Sequence, residues 1–207
     1  MIAKFLSPIL MLTKNLILNW THKIKLPLKV RSTAFQLCDK LDGFFKTIDH
    51  LQGFEAKLFK AKVCIFLGCK FEDIHGHLNK MMEQLEIITS TVHLPNILEL
   101  EAQIIEYLNF QFDFPNLYQS TLAVHLLVSE STKIPWETTI ECLNKALLSS
   151  NLETNLMEVV LSSFPDDSYI HLDLKYNNDI INEIKKRAVD IKYLSDREIK
   201  LKCEKTT

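Results

Sequence analysis

Turn-forming residues are scarce: 4 glycines and 6 prolines in 207 residues. Sandwiches and barrels spend such residues on many tight connections, so this shortage speaks against them and for packed helices. The 5 cysteines include no CxxC pair, and Cys64 and Cys69 lie in apolar surroundings. An odd count without spacing signatures points to reduced structural thiols, as in a cytosolic or nuclear protein. Charge of one sign is missing too. The net charge is −2 and no single-sign block occurs, so binding driven by phosphate neutralisation is not predicted. No Gly-rich phosphate loop, GxSxG, HExxH or pair of catalytic carboxylates is present, which leaves an enzyme reading, a metal site or a cofactor without residues to stand on. Asp166-Asp167 follows a proline and reads as a helix start.

Long hydrophobic runs are also absent. The apolar stretch between Lys4 and Lys14 is nine residues long and contains Pro8. That is too short to span a bilayer, and no small-x-small cleavage site follows it. An amphipathic first helix is the better reading, and no membrane partner is predicted.

What is present is helical periodicity. The spacing predicts a helix from Pro8 to about His22, with Ile9, Leu12, Leu16 and Trp20 as its stripe. A second runs from Pro27 to about Phe45, ended by Gly43 or by the segment Thr47–Gly53, its stripe Val30, Ala34, Leu37, Cys38 and Leu41. A third covers Phe54–Phe71, and Val63 to Gly68 are apolar on every side, which marks a central helix without a solvent face. A short helix at Met81–Ile88 and one at Asn96–Asn109 follow. FQFDFPNLY is an extended link punctuated by Pro115. Further helices are predicted at Tyr118–Ser129, Trp136–Leu148, Glu153–Phe164 and Asp179–Leu194. The plan is all-α, in two halves: residues 1–115 and residues 116–207. IHGH at 74–77 spaces its histidines i, i+2, whereas zinc sites on helices favour i, i+4, so ordinary loop histidines are predicted. Residues 183–205 hold eight Lys/Arg against five Asp/Glu, opposite a stripe of Ile180, Ile184, Ala188, Ile191 and Leu194. This reads as an amphipathic helix packed on the domain, or alternatively as a docking helix.

Two charges stand out. Lys70 closes the all-apolar run in CIFLGCKFED. In the fifth helix Ile97, Ile104, Ile105 and Leu108 define a face, and Glu101 falls in the middle of it. A buried charge is costly unless paired. Either the two meet, or Lys70 snorkels along its stem and Glu101 sits at a frayed edge.

These residues carry a family likeness. AKVCIFLGCKFED resembles the third helix of a cyclin box, ELEAQIIEYLNFQF its fifth, and PLKVRSTAFQLCDKLDGFF its second, with Ala34 at the usual small position. The likeness covers residues 15–130. It is nearest to the transcription-type cyclins, the H type most of all, through KLPLKVRSTAFQLC, LNFQFDFPNLYQSTLAVHLL and VVLSSF. The N-terminal extension is short, the second box is compressed around 165–174, and no Met-Arg-Ala-Ile-Leu-like docking patch occurs. The resemblance implies two tandem cyclin-box repeats, the second degenerate, with flanking helices. It implies a nuclear, non-enzymatic regulatory subunit that binds a cyclin-dependent kinase, with an assembly factor of the kinase-activating complex as a further partner. Kinase contact would fall to Lys70 and Glu101, with Phe71, Ile105 and Phe110 as the apolar floor. The same fold also occurs in other transcriptional cyclins (C, K or T type) and in adaptors of the transcription factor IIB type. The latter should show a basic face and a zinc ribbon.

Overall fold

The structure is a computed structural model. It describes residues 8–48, 53–74, 97–150 and 156–164, together with Glu83 and Leu152. The described residues contain helices and no strand. The chain divides into two compact units, Met1–Asn116 and Leu117–Thr207.

In the first unit, α1 spans Pro8–Lys23, α2 Leu28–Lys40, α3 Asp42–Lys46, α4 Gly53–Phe71 and α5 Ile97–Tyr107. α1, α2 and α4 pack on one another. α4 is the central helix that its sequence foretells: every residue from Leu58 to Cys69 is buried. Gly68 permits a close crossing, because a Cβ built there would lie 3.1 Å from the Val30 carbonyl oxygen and 3.5 Å from the Ala34 methyl.

α1 differs from its predicted stripe. Leu10, Thr13, Lys14, Ile17, Trp20 and Thr21 are buried, whereas Leu12 and Leu16 are half-buried. This helix is apolar on several sides, so apolar spacing alone does not fix its rotation. Hydrogen bonding settles the polar positions. Lys14 Nζ lies 2.8 Å from Asp39 Oδ2, and Thr21 Oγ1 donates to the Ile17 carbonyl at 2.7 Å while accepting from Arg31 Nε at 2.9 Å.

α2 is covered all round. Val30 through Asp39 are all buried, including five positions that a simple amphipathic reading would expose. Ser32 Oγ and Gln36 Nε2 donate to the Pro115 carbonyl at 3.2 and 2.9 Å, anchoring the end of the extended segment. The single predicted helix over 27–45 is in fact broken at Leu41 (φ −92°, ψ 5°). Asp42 and Gly43 follow the break. Gly is a poor helix former, and Asp is favoured at helix starts. The Asp42 carboxylate there accepts from Lys46 at 2.6 Å and from the buried Lys60 at 2.7 Å.

In the second unit, α6 spans Leu117–Thr132, α7 Trp136–Ser149 and α8 Leu156–Leu161, and they pack together. The helix predicted to reach Phe164 ends earlier, at Leu161, and a turn follows through Ser162–Phe164. Leu143, Leu147, Val159, Val160 and Phe164 are buried. Tyr118 Oη donates to Asn144 Oδ1 at 2.6 Å. His125 is buried, with Nδ1 3.1 Å from Thr139 Oγ1 and its ring 5.2 Å from that of Trp136. Apart from Glu83, the helices predicted at 81–88 and 179–194, the histidines of IHGH, Asp166-Asp167 and the charged stretch 183–205 lie outside the described residues.

Candidate functional site: the Lys70–Glu101 edge

α4 ends at Phe71 because the chain turns there. The Ile74 N–H bonds to the Cys69 carbonyl at 2.8 Å and the Asp73 N–H to the Lys70 carbonyl at 3.2 Å, with Asp73 at φ +56°. This paired closure around a left-handed residue satisfies the last helical carbonyls. It leaves Lys70 in the final turn, where a cation is favoured by the helix dipole.

Lys70 and Glu101 do meet. Lys70 Nζ donates to both carboxylate oxygens of Glu101, at 2.7 and 2.6 Å. The pair is neither dry nor free: the side chains keep 27% and 19% of their exposure. Lys70 Nζ also stands 5.2 Å from the centre of the Phe66 ring, a cation–π contact that adds to the ion pair.

Glu101 is at the border of the α5 face, not at its middle. The buried row is Leu100, Ile104 and Leu108, while Glu101 and Ile105 are half-buried beside it. Ile104 centres that row, and an offset of about 60° round the helix sets Glu101 at its edge. It also lowers the cost of the charge, since a border carboxylate keeps part of its hydration.

Of the residues that the resemblance assigns to an apolar floor, Phe71 and Ile105 are half-buried and Phe110 is 69% exposed. The rings nearest Phe71 are two others. Phe71 stacks on Phe112 at 4.8 Å and on Phe114 at 5.6 Å, and Phe112 meets Phe110 edge-on at 6.5 Å. Sequence reasoning missed Phe112 and Phe114. Their signal was available, because residues i and i+2 of an extended segment share a face.

Glu72 is a further member of this edge that periodicity does not reveal. Its carboxylate accepts from the Thr33 hydroxyl and lies 3.6 Å from Lys29 Nζ, which also donates to the Glu72 carbonyl at 2.8 Å. The start of α2 is thereby tied to the end of α4. Chemically, the edge offers a closed but half-wet ion pair beside exposed rings. Among the described residues no three His, Cys, Asp or Glu side chains gather as a metal site requires, and no helix is long and apolar enough to cross a membrane. No protein-family model matches the chain, and no curated protein matches it either.

Proposed function

We propose that the protein is a cyclin of the transcription type, resembling cyclin H. In this reading it binds and activates a cyclin-dependent kinase of the kinase-activating complex of transcription factor IIH. That activity serves phosphorylation of the RNA polymerase II C-terminal repeats and of cell-cycle kinases. The observation that supports it most is the Lys70–Glu101 pair, closed at 2.6 Å yet still 27% and 19% exposed. A fully buried pair is already committed to its own core. A pair at the border keeps hydrogen-bonding capacity for a partner's backbone, which interface cores tolerate when every polar group finds a partner. On this reading the edge holds the kinase's mobile helix inward, placing that helix's Glu against the Lys that positions ATP.

The test is binding and activation of the co-purified kinase by Lys70→Ala and Glu101→Ala variants. Both variants should keep their helical content and lose kinase binding and activation. Variants that bind and activate as the parent does would end this assignment, and tight, salt-sensitive promoter binding without a kinase would favour the transcription factor IIB type instead.

A further inference from the structure

Two thiols face each other where α2 crosses α4. The contacts between these helices run in opposite directions along the chain. Ala34 lies against Gly68, and Asp42, just past the end of α2, accepts from the Lys60 ammonium at 2.7 Å. The rung midway between those two contacts is Cys38 with Cys64, one helical turn from each on both helices. That rung is filled. Both cysteines are fully buried, and the two thiols hydrogen-bond to each other. At the Ala34 rung a Cβ built on Gly68 would stand 3.5 Å from the Ala34 Cβ, whereas at the Asp42 rung a lysine stem fills the gap. A disulfide needs Cβ atoms about 3.5–4.5 Å apart, and the cysteine rung lies one turn from a place with that separation. The remaining thiol of the first unit, Cys69, is five residues from Cys64 on the same helix. Five steps of about 100° turn it about 140° away from the pair.

The chemistry suits a core. A buried thiolate is costly, but a pair of thiols and a disulfide are both neutral. Charge therefore does not decide between the two states, and the supply of oxidant does. A hydroperoxide can provide the oxidising equivalents. Burial holds the Cys64 thiol protonated at rest, so the reaction waits on brief openings of the crossing. One thiolate then attacks the peroxide oxygen. A sulfenic acid forms, and the leaving oxygen takes up the proton that the thiol gave. The second thiol attacks the sulfenic sulfur, the S–S bond forms and water leaves. Two thiols and one hydroperoxide become one disulfide, one water and one alcohol (a second water when the oxidant is hydrogen peroxide).

We propose that Cys38 and Cys64 are a reversible disulfide site, closed by a hydroperoxide, whose bond staples α2 to α4 as a redox-sensitive lock on the first unit. The lock does not depend on which partner the protein binds. The test treats the reduced full chain with hydrogen peroxide in urea below its unfolding transition, so that the crossing opens while the fold is kept. Free thiols are then blocked in strong denaturant, and the peptides are mapped without reduction. Cys64 and Cys69 share one tryptic peptide, VCIFLGCK, so a Cys69→Ala variant is run beside the parent. The Cys38–Cys64 bridge should dominate in both. In guanidinium strong enough to unfold the parent, the bridge between Cys64 and Cys69 should prevail instead, because loop closure then sets the choice. The oxidised parent should melt about 5 °C or more above the reduced protein, and dithiothreitol should reverse the gain. Cys38→Ala should show no gain on oxidation. Peroxide that leaves both thiols free, carries them to sulfinic acid or bridges another pair first would overturn the site. A bridged protein that melts no higher than the reduced one would overturn the lock.

Discussion

Lys14 on α1 and Asp39 on α2 form an ion pair at 2.8 Å with side chains 0% and 1% exposed, in contrast to the half-wet Lys70–Glu101 pair of the same unit. Burial sets what each does. Removing one member of a dry pair strands the other charge and costs about 3–5 kcal/mol, whereas a partly hydrated pair is worth about 0–1 kcal/mol. Lys14→Met should therefore lower unfolding stability by about 3 kcal/mol or more and Lys70→Met by less than about 1 kcal/mol. The double change Lys14→Met/Asp39→Leu should recover much of the loss. Urea denaturation followed by far-UV circular dichroism measures all three, and similar losses for the two single variants would contradict the contrast.

At Gly68 α4 passes close to α2. Alanine is the better helix former by about 1 kcal/mol, so on an open surface Gly68→Ala would stabilise. Here the added methyl meets the Val30 carbonyl oxygen at 3.1 Å and the Ala34 backbone nitrogen at 3.4 Å. Neither is a side chain that can swing aside. The net effect should be a loss of about 1 kcal/mol, growing to about 3 kcal/mol for Gly68→Val as the crossing is wedged apart. A Gly68→Ala protein with a raised melting temperature would show that the helices separate more easily than their burial implies.

Asp42 predicts a pH dependence. Burial acts to raise its pKa, but hydrogen bonds and charge from Lys46 and Lys60 outweigh burial and hold it below the ordinary 3.8. A carboxyl lowered on folding contributes stability that is complete above its unfolded value and lost as pH falls through its folded value. The contribution should be present at neutral pH and fade below about pH 4. The difference in unfolding stability between parent and Asp42→Asn should shrink between pH 6 and pH 2.5. A constant difference would show that Asp42 acts through shape and not through charge.

The thiols should sort by burial. Cys38, Cys64 and Cys69 are buried, and Cys142 is half-buried. Burial is the main cause that drives the Cys64 thiol far up, with the neighbouring Cys38 adding to it, and burial alone pushes Cys69 up to about 12. Little reactive thiolate exists at pH 8 for such groups. Peptide mapping after brief iodoacetamide treatment should find Cys142 modified well ahead of Cys64 and Cys69, with the latter two following only in denaturant. Equal early labelling of Cys64 would mean that α4 opens without unfolding.

The helical class and the limits of α4 were legible because Val63–Gly68 are apolar on every side and no charge offers another rotation. The meeting of Lys70 and Glu101 was open in the sequence, since spacing shows that two charges need partners without showing that they share one. Other features lay beyond periodicity. The polar side of α2 is buried because its partners come from distant segments: Asp39 meets Lys14 25 positions away, and Ser32 meets Pro115 83 positions away. A periodicity measure records polarity along one helix and carries no information about what covers its far side. Leu41 ends α2 although it continues the apolar stripe, because the Asp42 carboxylate is claimed by Lys46 and Lys60.

The far end of α5 carries one more consequence. The Tyr107 ring lies 5.4 Å from that of Phe44, and its hydroxyl sits where a Cβ on Gly43 would be, 2.6 Å from that point. Glu101 is fastened to Lys70 six residues earlier on the same helix. α5 is thus pinned near its middle and at its far end to different helices, like an axle in two bearings, and it cannot roll about its long axis without releasing one of them. The aim of the Glu101 carboxylate is consequently set in part by an uncharged residue well over one helical turn away. A larger residue at Gly43 would reach the edge as a rotation, with no change in any group that lines it.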